Sequence, residues 1–348
     1  MTQRIRCAVA LSGGVDSAVV AALLREEDAE VVALTLRLQP GDDFTAAAQV
    51  AAHLGLEHHI VDAVAAFREQ VMMPFAQSYR AGETPLPCAL CNRFIKFGVL
   101  IEAAQAHGAQ ALATGHYARR VVGLEGVAEL HKGRDITKDQ SYFLFALRQA
   151  QIDFLRFPLG EMTKDHVREL ARRHGLPVAE RKGSQDICFV PQGDYASVVA
   201  KLSPLADQAG DIVDQAGRVL GRHGGIIHYT VGQRKGLNLS ARIGDANEPL
   251  YVLSVNAVAR QVVVGPREAL ERREVVLRDV NWLGGFVPGE GFCVQARLRS
   301  AQQPALGRFF AEGEGGRLVF EEPVSGVAKG QAGVIYQGDR LLGGGWIT

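Results

Sequence analysis

The chain has 348 residues, which is enough for two or three domains with a substantial core. Its 38 lysines and arginines balance 38 aspartates and glutamates, so any nucleic-acid contact must depend on local basic patches. No apolar run reaches membrane-spanning length, and the N-terminal segment is too short for a signal peptide. We therefore expect a cytoplasmic protein without a membrane partner, whose five cysteines do not form a disulfide framework.

The first predicted element is an apolar strand at residues 8–11, followed by a glycine-containing turn and a helix that continues from Ala18. Gly13 and Gly14 allow backbone N–H groups to point inward, and the helix dipole adds positive charge, which predicts an anion site. The turn lacks the lysine of a P-loop and the third glycine of a dinucleotide fingerprint. Asp16 suits a metal ion that accompanies phosphates, such as Mg²⁺, and we count it as catalytic.

Strands and helices alternate after this loop. Further strands are predicted at 31–36, 57–61 and 111–114, and helices at 45–54, 64–79, 95–107 and 164–174. This order predicts an α/β fold with a doubly wound parallel sheet that binds ligands at the carboxyl ends of its strands. Asp42 and Asp43 are predicted to cap the 45–54 helix, and Thr163 the last of these helices.

The pattern changes beyond about residue 207. Short alternating runs between turns predict a small, mostly β linker domain and then a C-terminal antiparallel β-barrel. We place the domain boundaries at 1–200, 201–270 and 271–348. In the linker, Arg234 and Lys235 lie between two glycines, where they form either a charged turn or a phosphate contact.

A proline-flanked loop delivers Cys88 and Cys91 just before a predicted helix. Cysteines near a helix N-terminus and close to cations, here Arg93 and Lys96, are expected to have a lowered pKa and more thiolate. Cys188 follows another glycine-containing turn. The two remaining cysteines lie in apolar or strand-like runs and are predicted to be core residues: Cys7 and Cys293.

The loop from Ser12 to Ser17 resembles the SGGxDS loop of the PP-loop ATP pyrophosphatases, which cleave ATP between its α- and β-phosphates on an adenine nucleotide alpha-hydrolase-like sheet. Other motifs make the chain resemble the tRNA-specific 2-thiouridylase family (MnmA-type tRNA-uridine 2-sulfurtransferases) nearly end to end. They are Cys91-Asn92, the stretch 113–117, Lys-Asp-Gln-Ser-Tyr at 138–142, Asp186-Ile187-Cys188-Phe189, Gly-Gln-Arg-Lys-Gly-Leu at 232–237, and Gly343-Gly344-Gly345. The resemblance implies ATP-dependent 2-thiolation of the wobble uridine (position 34) of tRNA.

The resemblance also implies roles for individual residues. ATP would be held by Ala10, Leu11, Ser12, Gly13, Gly14, Val15, Asp16, Ser17, Leu36 and Gly115. The tRNA would be contacted by Leu86, Pro87, Cys88, His116, Lys138, Asp139, Gln140, Arg297, Leu298 and Gln331. Cys188 would carry a persulfide received from a sulfur-donor protein, and Cys91 would be the nucleophile that releases the sulfur.

The chemistry of sulfur transfer explains why two cysteines are needed. The C2 carbonyl of uracil is a poor electrophile, and adenylation converts its oxygen into AMP, which sulfur can displace. A persulfide then needs a second thiol, which either splits it or resolves the resulting disulfide.

One position departs from the family pattern, because Cys88 stands where many members have aspartate. This leaves an alternative in which Cys88, Cys91 and Cys188 hold zinc or a [4Fe–4S] cluster with one open iron. Two other interpretations also remain at this point. One is a different PP-loop ligase, such as a lysidine synthetase or a small-molecule amidotransferase, and the other is a non-catalytic tRNA-binding protein with a vestigial loop.

Overall fold

The computed structural model of the protein describes residues 5–27, 29–181, 187–190, 194–203, 208–237, 239, 249–286, 288–289 and 291–348. The chain divides into two compact units. The first comprises Met1–Gln70, Cys88–Gln185 and Gln337–Leu342, and the second comprises Val71–Pro87, Asp186–Tyr336 and Gly343–Thr348. Within the described ranges, none of the helices combines the length and apolar character needed to cross a membrane.

The strands in chain order are β1 (Arg6–Ala10), β2 (Glu30–Arg37), β3 (Glu57–Asp62), β4 (Ala111–Ala113), β5 (Ala118–Val122), β6 (Ala128–Lys132), β7 (Leu155–Arg156), β8 (Gly210–Val213), β9 (Val219–His223), β10 (Tyr251–Asn256), β11 (Gln261–Gly265), β12 (Arg272–Trp282), β13 (Phe292–Arg297), β14 (Ala305–Glu312), β15 (Gly315–Val324), β16 (Ala332–Gln337) and β17 (Arg340–Ile347). The α-helices are α1 (Val15–Glu26), α2 (Thr45–Leu54), α3 (Val64–Phe67), α4 (Met73–Arg80), α5 (Pro87–Leu90), α6 (Leu100–Ala106), α7 (Gln149–Phe154), α8 (Lys164–Arg173) and α9 (Tyr195–Leu202).

A parallel sheet in the order β3-β2-β1-β4-β7 lies in the first unit. Ala8 and Val9 of β1 and Ala33 of β2 are fully buried, as expected for small apolar strands covered on both faces. β1 pairs in parallel with β2 and with β4, so the carboxyl ends of all three strands lie at one edge. The predicted α/β class with a parallel, doubly wound sheet is confirmed.

Helix α1 is deeply buried because alanine, valine and leucine make up most of it. Ala18, Val19, Val20 and Ala21 are inaccessible to solvent, and the helix packs against β1, β2, α2 and α8. Burying a valine side chain stabilises a fold by about 1.5–3 kcal/mol. The helix start, where the glycine-containing loop ends, is therefore firmly anchored.

The predicted helix caps are only partly correct. Thr163 is confirmed as the N-cap of α8, since its side chain accepts a hydrogen bond from His166 N at 3.3 Å. At α2 the N-cap residue is Phe44, and Asp43 Oδ1 accepts from Thr45 N at 2.8 Å, so Asp43 binds the first helical N–H from one residue before the cap. The prediction for Asp42 is wrong, because its carboxylate accepts from the backbone of the preceding turn at 38–39.

The helical run that carries two of the cysteines differs from the prediction. It begins at Pro87 rather than near residue 95, since proline is favourable in the first turn of a helix. From Cys91 to Val99 it widens into a π-helix. The side-chain amide of Gln151 donates to the carbonyl oxygens of Arg93 and Phe97 in this segment. Gln151 therefore satisfies backbone groups that the widened turn exposes.

A hairpin formed by β5 and β6 was not predicted. Its strand β6 pairs through His131 with Arg340 at the start of β17. Arg119 of β5 donates to the Asp339 carboxylate at 2.7 Å. The two strands are close in sequence, whereas Asp339 and Arg340, which fix the hairpin within the first unit, are remote.

The second unit contains the predicted β regions. A four-stranded sheet has the order β10-β11-β8-β9, and the barrel strands have the order β12-β15-β14-β13-β16-β17. The barrel closes by pairing of β12 with β17, from Leu277 opposite Ile347 to Trp282 opposite Gly343. At Gly343 an added Cβ would lie 2.1 Å from the carbonyl oxygen of Asn281, so closure requires glycine there. The predicted linker region and antiparallel barrel are confirmed.

The two cysteines predicted to be core residues differ. Cys7 in β1 is buried, as predicted. Cys293 in β13 is exposed, so that prediction is wrong. Side chains alternate along a strand, and the register of β13 directs the neighbouring Val294 inward.

Candidate active site

The loop between β1 and α1 is shaped by glycine and organised by its own serines. Gly13 has a φ of +74°, and a Cβ added there would lie 3.0 Å from Ala46 Cβ, so the position favours glycine. Ser12 N donates to Ser17 Oγ at 3.2 Å, and Ser17 Oγ donates to Gly14 O at 3.0 Å. No described side chain caps the first turn of α1. Its N–H groups are therefore available to an anion.

This loop opens onto a cleft of about 400 Å³ at the carboxyl edge of the parallel sheet, which is within the range of small-molecule sites. Seven of the predicted ATP-binding residues line the cleft: Ala10, Leu11, Ser12, Asp16, Ser17, Leu36 and Gly115. The other three, Gly13, Gly14 and Val15, build the turn and the start of α1. Lining residues that the sequence analysis did not identify are Leu34, Thr35, Leu38, Asp42, Asp43, Phe44, Ala47, Lys96, Leu100 and Thr114.

Asp16 is held by two side chains from distant parts of the first unit. Lys164 Nζ lies 2.5 Å from Asp16 Oδ1, and Tyr117 Oη donates to the same oxygen at 2.8 Å. Burial and the nearby Asp16 charge raise the pKa of Tyr117, so the phenol keeps its proton. Gly115 permits close packing here, since a Cβ added to it would lie 3.0 Å from Asp16 Cβ. Asp16 could be identified from the sequence, whereas Lys164 could not.

A hydrogen-bond chain through the buried Thr35 connects β3 to the start of the loop. Thr35 Oγ1 donates to the carbonyl oxygen of Leu11 at 2.6 Å and lies 2.7 Å from His58 Nε2. Because the threonine proton is already donated, His58 must carry its proton on Nε2 and donate it. Burial, with a smaller contribution from His59, lowers the pKa of His58. A neutral imidazole therefore fixes the threonine that supports the loop.

We expect Thr35→Val to weaken both the fold and ATP binding. The substitution keeps the shape of the side chain but leaves the half-buried N–H of His58 without its acceptor, which costs up to about 1–3 kcal/mol. Thermal unfolding and ATP titration would measure the two effects. Thr137→Val removes an exposed hydroxyl bonded to Asp135 and serves as the control. An unchanged melting temperature in Thr35→Val would contradict a supporting role for the chain.

His116, which the resemblance assigns to the tRNA, lines the same cleft. Its Nδ1 lies 2.9 Å from Thr114 Oγ1, and its ring packs against Phe97 and Phe157. Burial, with a smaller effect of the Lys96 charge, lowers the pKa of His116 well below its ordinary value. The imidazole is therefore neutral at pH 7 and acts in the cleft through hydrogen bonding, without charge.

The predicted tRNA residues at 138–140 form one turn. Asp139 Oδ1 accepts from Gly133 N at 2.9 Å, and Gln140 Oε1 accepts from Tyr117 N at 2.9 Å. Gln140 also lines the cleft. The side chain of Lys138 is exposed. Two of the three residues thus organise local structure, and Lys138 extends to the surface.

In the second unit, the proline-rich loop is fastened to the barrel. Gln331 Nε2 donates to the carbonyl oxygens of Thr84 and Pro85, both at 3.1 Å. Leu86 and Pro87 after them are buried. Gln331, which the resemblance assigns to the tRNA, therefore also positions this loop.

The other predicted tRNA residues of the second unit fall into two environments. Arg297 and Leu298 are 4% and 1% exposed, and the Arg297 guanidinium lies over the ring of Tyr336 at 5.3 Å. They form part of the barrel wall. Arg234 and Lys235 are exposed in a turn, which leaves both cations accessible to a large polyanion.

The three candidate cysteines differ in exposure. Cys91 is buried at the start of the π-helix, Cys88 is half-buried, and Cys188 in the second unit is exposed. The glycine-containing turn expected before Cys188 falls at 182–186, outside the described residues. Burial raises the pKa of Cys88 by more than the Lys96 charge lowers it. The prediction of a lowered pKa at Cys88 is therefore wrong, because it counted neighbouring charges and not burial.

One group of potential metal ligands occurs within the described part of the first unit. The ligand atoms of Glu57, His59 and His107 lie within 4.8 Å of one another. Cys88 and Cys91 do not take part in it. The Glu57 carboxylate is already paired with Arg6 at 3.1 Å.

Comparison with known proteins agrees with this geometry. Three family models match in succession: the tRNA methyl transferase HUP domain over residues 5–192, the tRNA methyl transferase PRC-barrel domain over 202–266 and the aminomethyltransferase beta-barrel domain over 272–347. A protein of Parvibaculum lavamentivorans named tRNA-specific 2-thiouridylase MnmA is 49% identical, covering 99% of this chain and 90% of the relative. Relatives of the same name from Rhodospirillum centenum and Rhizorhabdus wittichii are 50% and 49% identical, covering 99% and 98% of this chain and 92% and 91% of their own lengths. The chain therefore belongs to the tRNA-specific 2-thiouridylase family.

Proposed function

We propose that this protein catalyses ATP-dependent 2-thiolation of the wobble uridine of tRNA. The observation that carries the proposal is the glycine-shaped loop, whose uncapped helix start opens into a nucleotide-sized cleft at the sheet edge. Family membership supports the same activity, since relatives with about half of their residues identical are named tRNA-specific 2-thiouridylases.

In the first half-reaction, the C2 oxygen of uracil attacks the α-phosphorus of ATP. The bond between the α-phosphorus and the bridging oxygen to the β-phosphate breaks, and pyrophosphate leaves with the electron pair. The loop N–H groups and Ser12 would hold the phosphates, while Leu36 and Gly115 line the remainder of the cleft. Mg²⁺ fits the Asp16 carboxylate and would shield phosphate charge.

In the second half-reaction, sulfur displaces AMP from the activated carbon. The exposed thiol of Cys188 is accessible to a sulfur-donor protein, which would leave it as a persulfide. After the terminal sulfur attacks C2, the Cys91 thiolate attacks the Cys188 sulfur, and 2-thiouridine is released as a Cys91–Cys188 disulfide forms. A dithiol reductant must then restore both thiols.

We favour this persulfide route over an iron–sulfur cluster held by the three cysteines. Iron–sulfur clusters are usually held by four cysteine thiolates, whereas the candidate set here offers three. Cys88 then acts as a small, largely apolar side chain near the target base. The cluster-free mechanism requires Cys91 and Cys188 to come within disulfide reach during turnover, with Cα atoms roughly 4.4–6.8 Å apart.

The direct test of the function is nucleoside mass spectrometry of tRNA. Cells without the protein should lack 2-thiouridine at the wobble position, and the purified protein should form AMP and pyrophosphate when ATP and unmodified tRNA are both present. Normal 2-thiouridine in the deletion strain would contradict the proposal. AMP formation without tRNA would instead favour a ligase with a small substrate.

We expect the exposed pair Arg234 and Lys235 to contact tRNA phosphates. Replacing either with alanine should weaken tRNA binding and reduce the slope of log K against log salt by about 0.7–1 per lost contact. Binding at several salt concentrations measures this slope. Arg267→Ala, elsewhere in the second unit, is the control. Unchanged slopes in both variants would show that the stretch is only a charged turn.

A further inference from the structure

The group of potential metal ligands in the first unit lies apart from the cleft, toward the amino ends of the parallel strands. Glu57 is the first residue of β3 and His59 is two residues further on, so both side chains point to the same side of this edge strand. His107 directly follows helix α6. The glutamate is exposed and both histidines are half-buried, so an ion from solution can reach all three.

The two histidines come together in a way that suits a shared ion. Their ring centroids lie 4.1 Å apart, with the ring planes tilted by 32°. His59 Nε2 lies 2.7 Å from Glu57 Oε1. An ionised carboxylate only accepts hydrogen bonds, so Nε2 carries a proton in this contact. A metal ion can take the place of that proton, and the imidazole then keeps its proton on Nδ1.

The separations between the ligand atoms are compatible with one metal ion. Zn²⁺ binds imidazole nitrogen and carboxylate oxygen at about 2.0–2.2 Å in tetrahedral geometry, which places neighbouring ligand atoms about 3.3–3.6 Å apart. The ligand atoms of Glu57, His59 and His107 lie within 4.8 Å of one another. Small rotations of these accessible side chains are enough to bring them to the required spacing.

The charges around the cluster favour a divalent cation. Glu57 Oε2 pairs with Arg6 at 3.1 Å, and Arg6 also pairs with Glu30 at 3.1 Å. One guanidinium between two carboxylates leaves a net negative charge, and Glu57 Oε1 remains directed at His59. Because exposed ion pairs and hydrogen bonds of this kind add little stability, the cluster contributes little to the fold unless an ion joins it.

We propose that Glu57, His59 and His107 form a binding site for a divalent transition metal of the zinc class, with water as the fourth ligand. Imidazole and carboxylate ligands suit Zn²⁺ or Ni²⁺, whereas Mg²⁺ prefers oxygen ligands alone. The ion joins strand β3 to the end of helix α6 and thereby closes a long loop of the chain. It stabilises the native state, because the unfolded chain does not hold the three ligands together.

The test is calorimetric titration of Zn²⁺ into the reduced, metal-free, full-length protein. His59→Ala and His107→Ala should each weaken binding at least tenfold, and Glu57→Gln should also weaken it. His166→Ala is the matched control, because it removes a different exposed histidine that is paired with a glutamate, and its affinity for Zn²⁺ should be unchanged. Zn²⁺ at about a hundredfold its dissociation constant should raise the melting temperature by several degrees in the unsubstituted protein and in His166→Ala. This rise should be lost in the other three variants.

Cysteine thiolates also bind zinc, and Co²⁺ used as a spectroscopic probe distinguishes the two kinds of site. A site with nitrogen and oxygen ligands gives only weak visible absorption, whereas a cysteine site adds a strong sulfur-to-metal charge-transfer band. The weak visible bands should disappear in His59→Ala and His107→Ala and persist in Cys91→Ser. Zinc affinity that is unchanged in both histidine variants, or binding that disappears in Cys91→Ser, would overturn the proposal. Absence of zinc binding by the unsubstituted protein would overturn it as well.

Discussion

Replacing Cys91 or Cys188 with serine should abolish tRNA 2-thiolation, whereas Cys88→Ala should retain a substantial part of it. The persulfide route needs one thiol to carry the sulfur and a second to release it, and neither can compensate for the other. AMP formation should persist in both serine variants, because adenylation precedes sulfur transfer. The measurements are 2-thiouridine by mass spectrometry and AMP release in the same reactions.

Cys293→Ser is the matched control, since Cys293 is exposed on a barrel strand. This substitution should leave both reactions unchanged. A cluster mechanism gives a different pattern. All three replacements at Cys88, Cys91 and Cys188 would then be comparably damaging, and anaerobically purified protein would contain about four irons per chain. Iron-free protein that thiolates tRNA, with Cys88→Ala active, would eliminate the cluster.

The second large effect is expected at Asp16. Asp16→Asn keeps the size of the side chain but removes the charge that we assign to the metal ion of ATP. Adenylation should fall by about a hundred- to a thousandfold, as when one preorganised electrostatic group is removed from an active site. Binding of tRNA should change by less than about twofold, because we assign the tRNA phosphate contacts to other residues. Ser12→Ala should also reduce the rate of adenylation.

Formation of AMP and filter binding of tRNA measure the two properties separately. Asp165→Asn, an exposed carboxylate on the first turn of α8, is the control for loss of one negative charge. Normal AMP formation by Asp16→Asn would show that the loop has been assigned the wrong role. A parallel loss of tRNA binding would indicate that the variant is misfolded.

The parts of the fold that could be predicted are those determined by local sequence. The loop at 12–17, the N-cap Thr163 and the helix 45–54 followed by Gly55 each depend on neighbours within a few residues. Gly55 adopts a φ of +62°, the left-handed conformation that commonly ends a helix. The change to short alternating runs likewise predicted the β regions of the second unit.

The parts that could not be predicted depend on partners far apart in the sequence. Lys164 and Tyr117 reach Asp16 from separate elements of the first unit, and the link from His58 to Leu11 runs through Thr35. The burial of individual side chains could not be predicted from the sequence either. The apolar environment of Cys88 reverses the pKa shift that its neighbouring cations suggested. The domain boundaries at 1–200, 201–270 and 271–348 stay a prediction.

The return of residues 337–342 to the first unit has a consequence for synthesis on the ribosome. The ATP-binding unit cannot be completed when its sheet emerges, because Arg340, which pairs with Glu129 at 3.1 Å, is made only after residues 186–336. Until then one edge of β6 is unpaired, and an unpaired strand edge can pair with other chains and cause aggregation. Completion of the first unit is thereby tied to translation of the barrel, because residues 337–342 follow strands β12 to β15 and most of β16 in the chain.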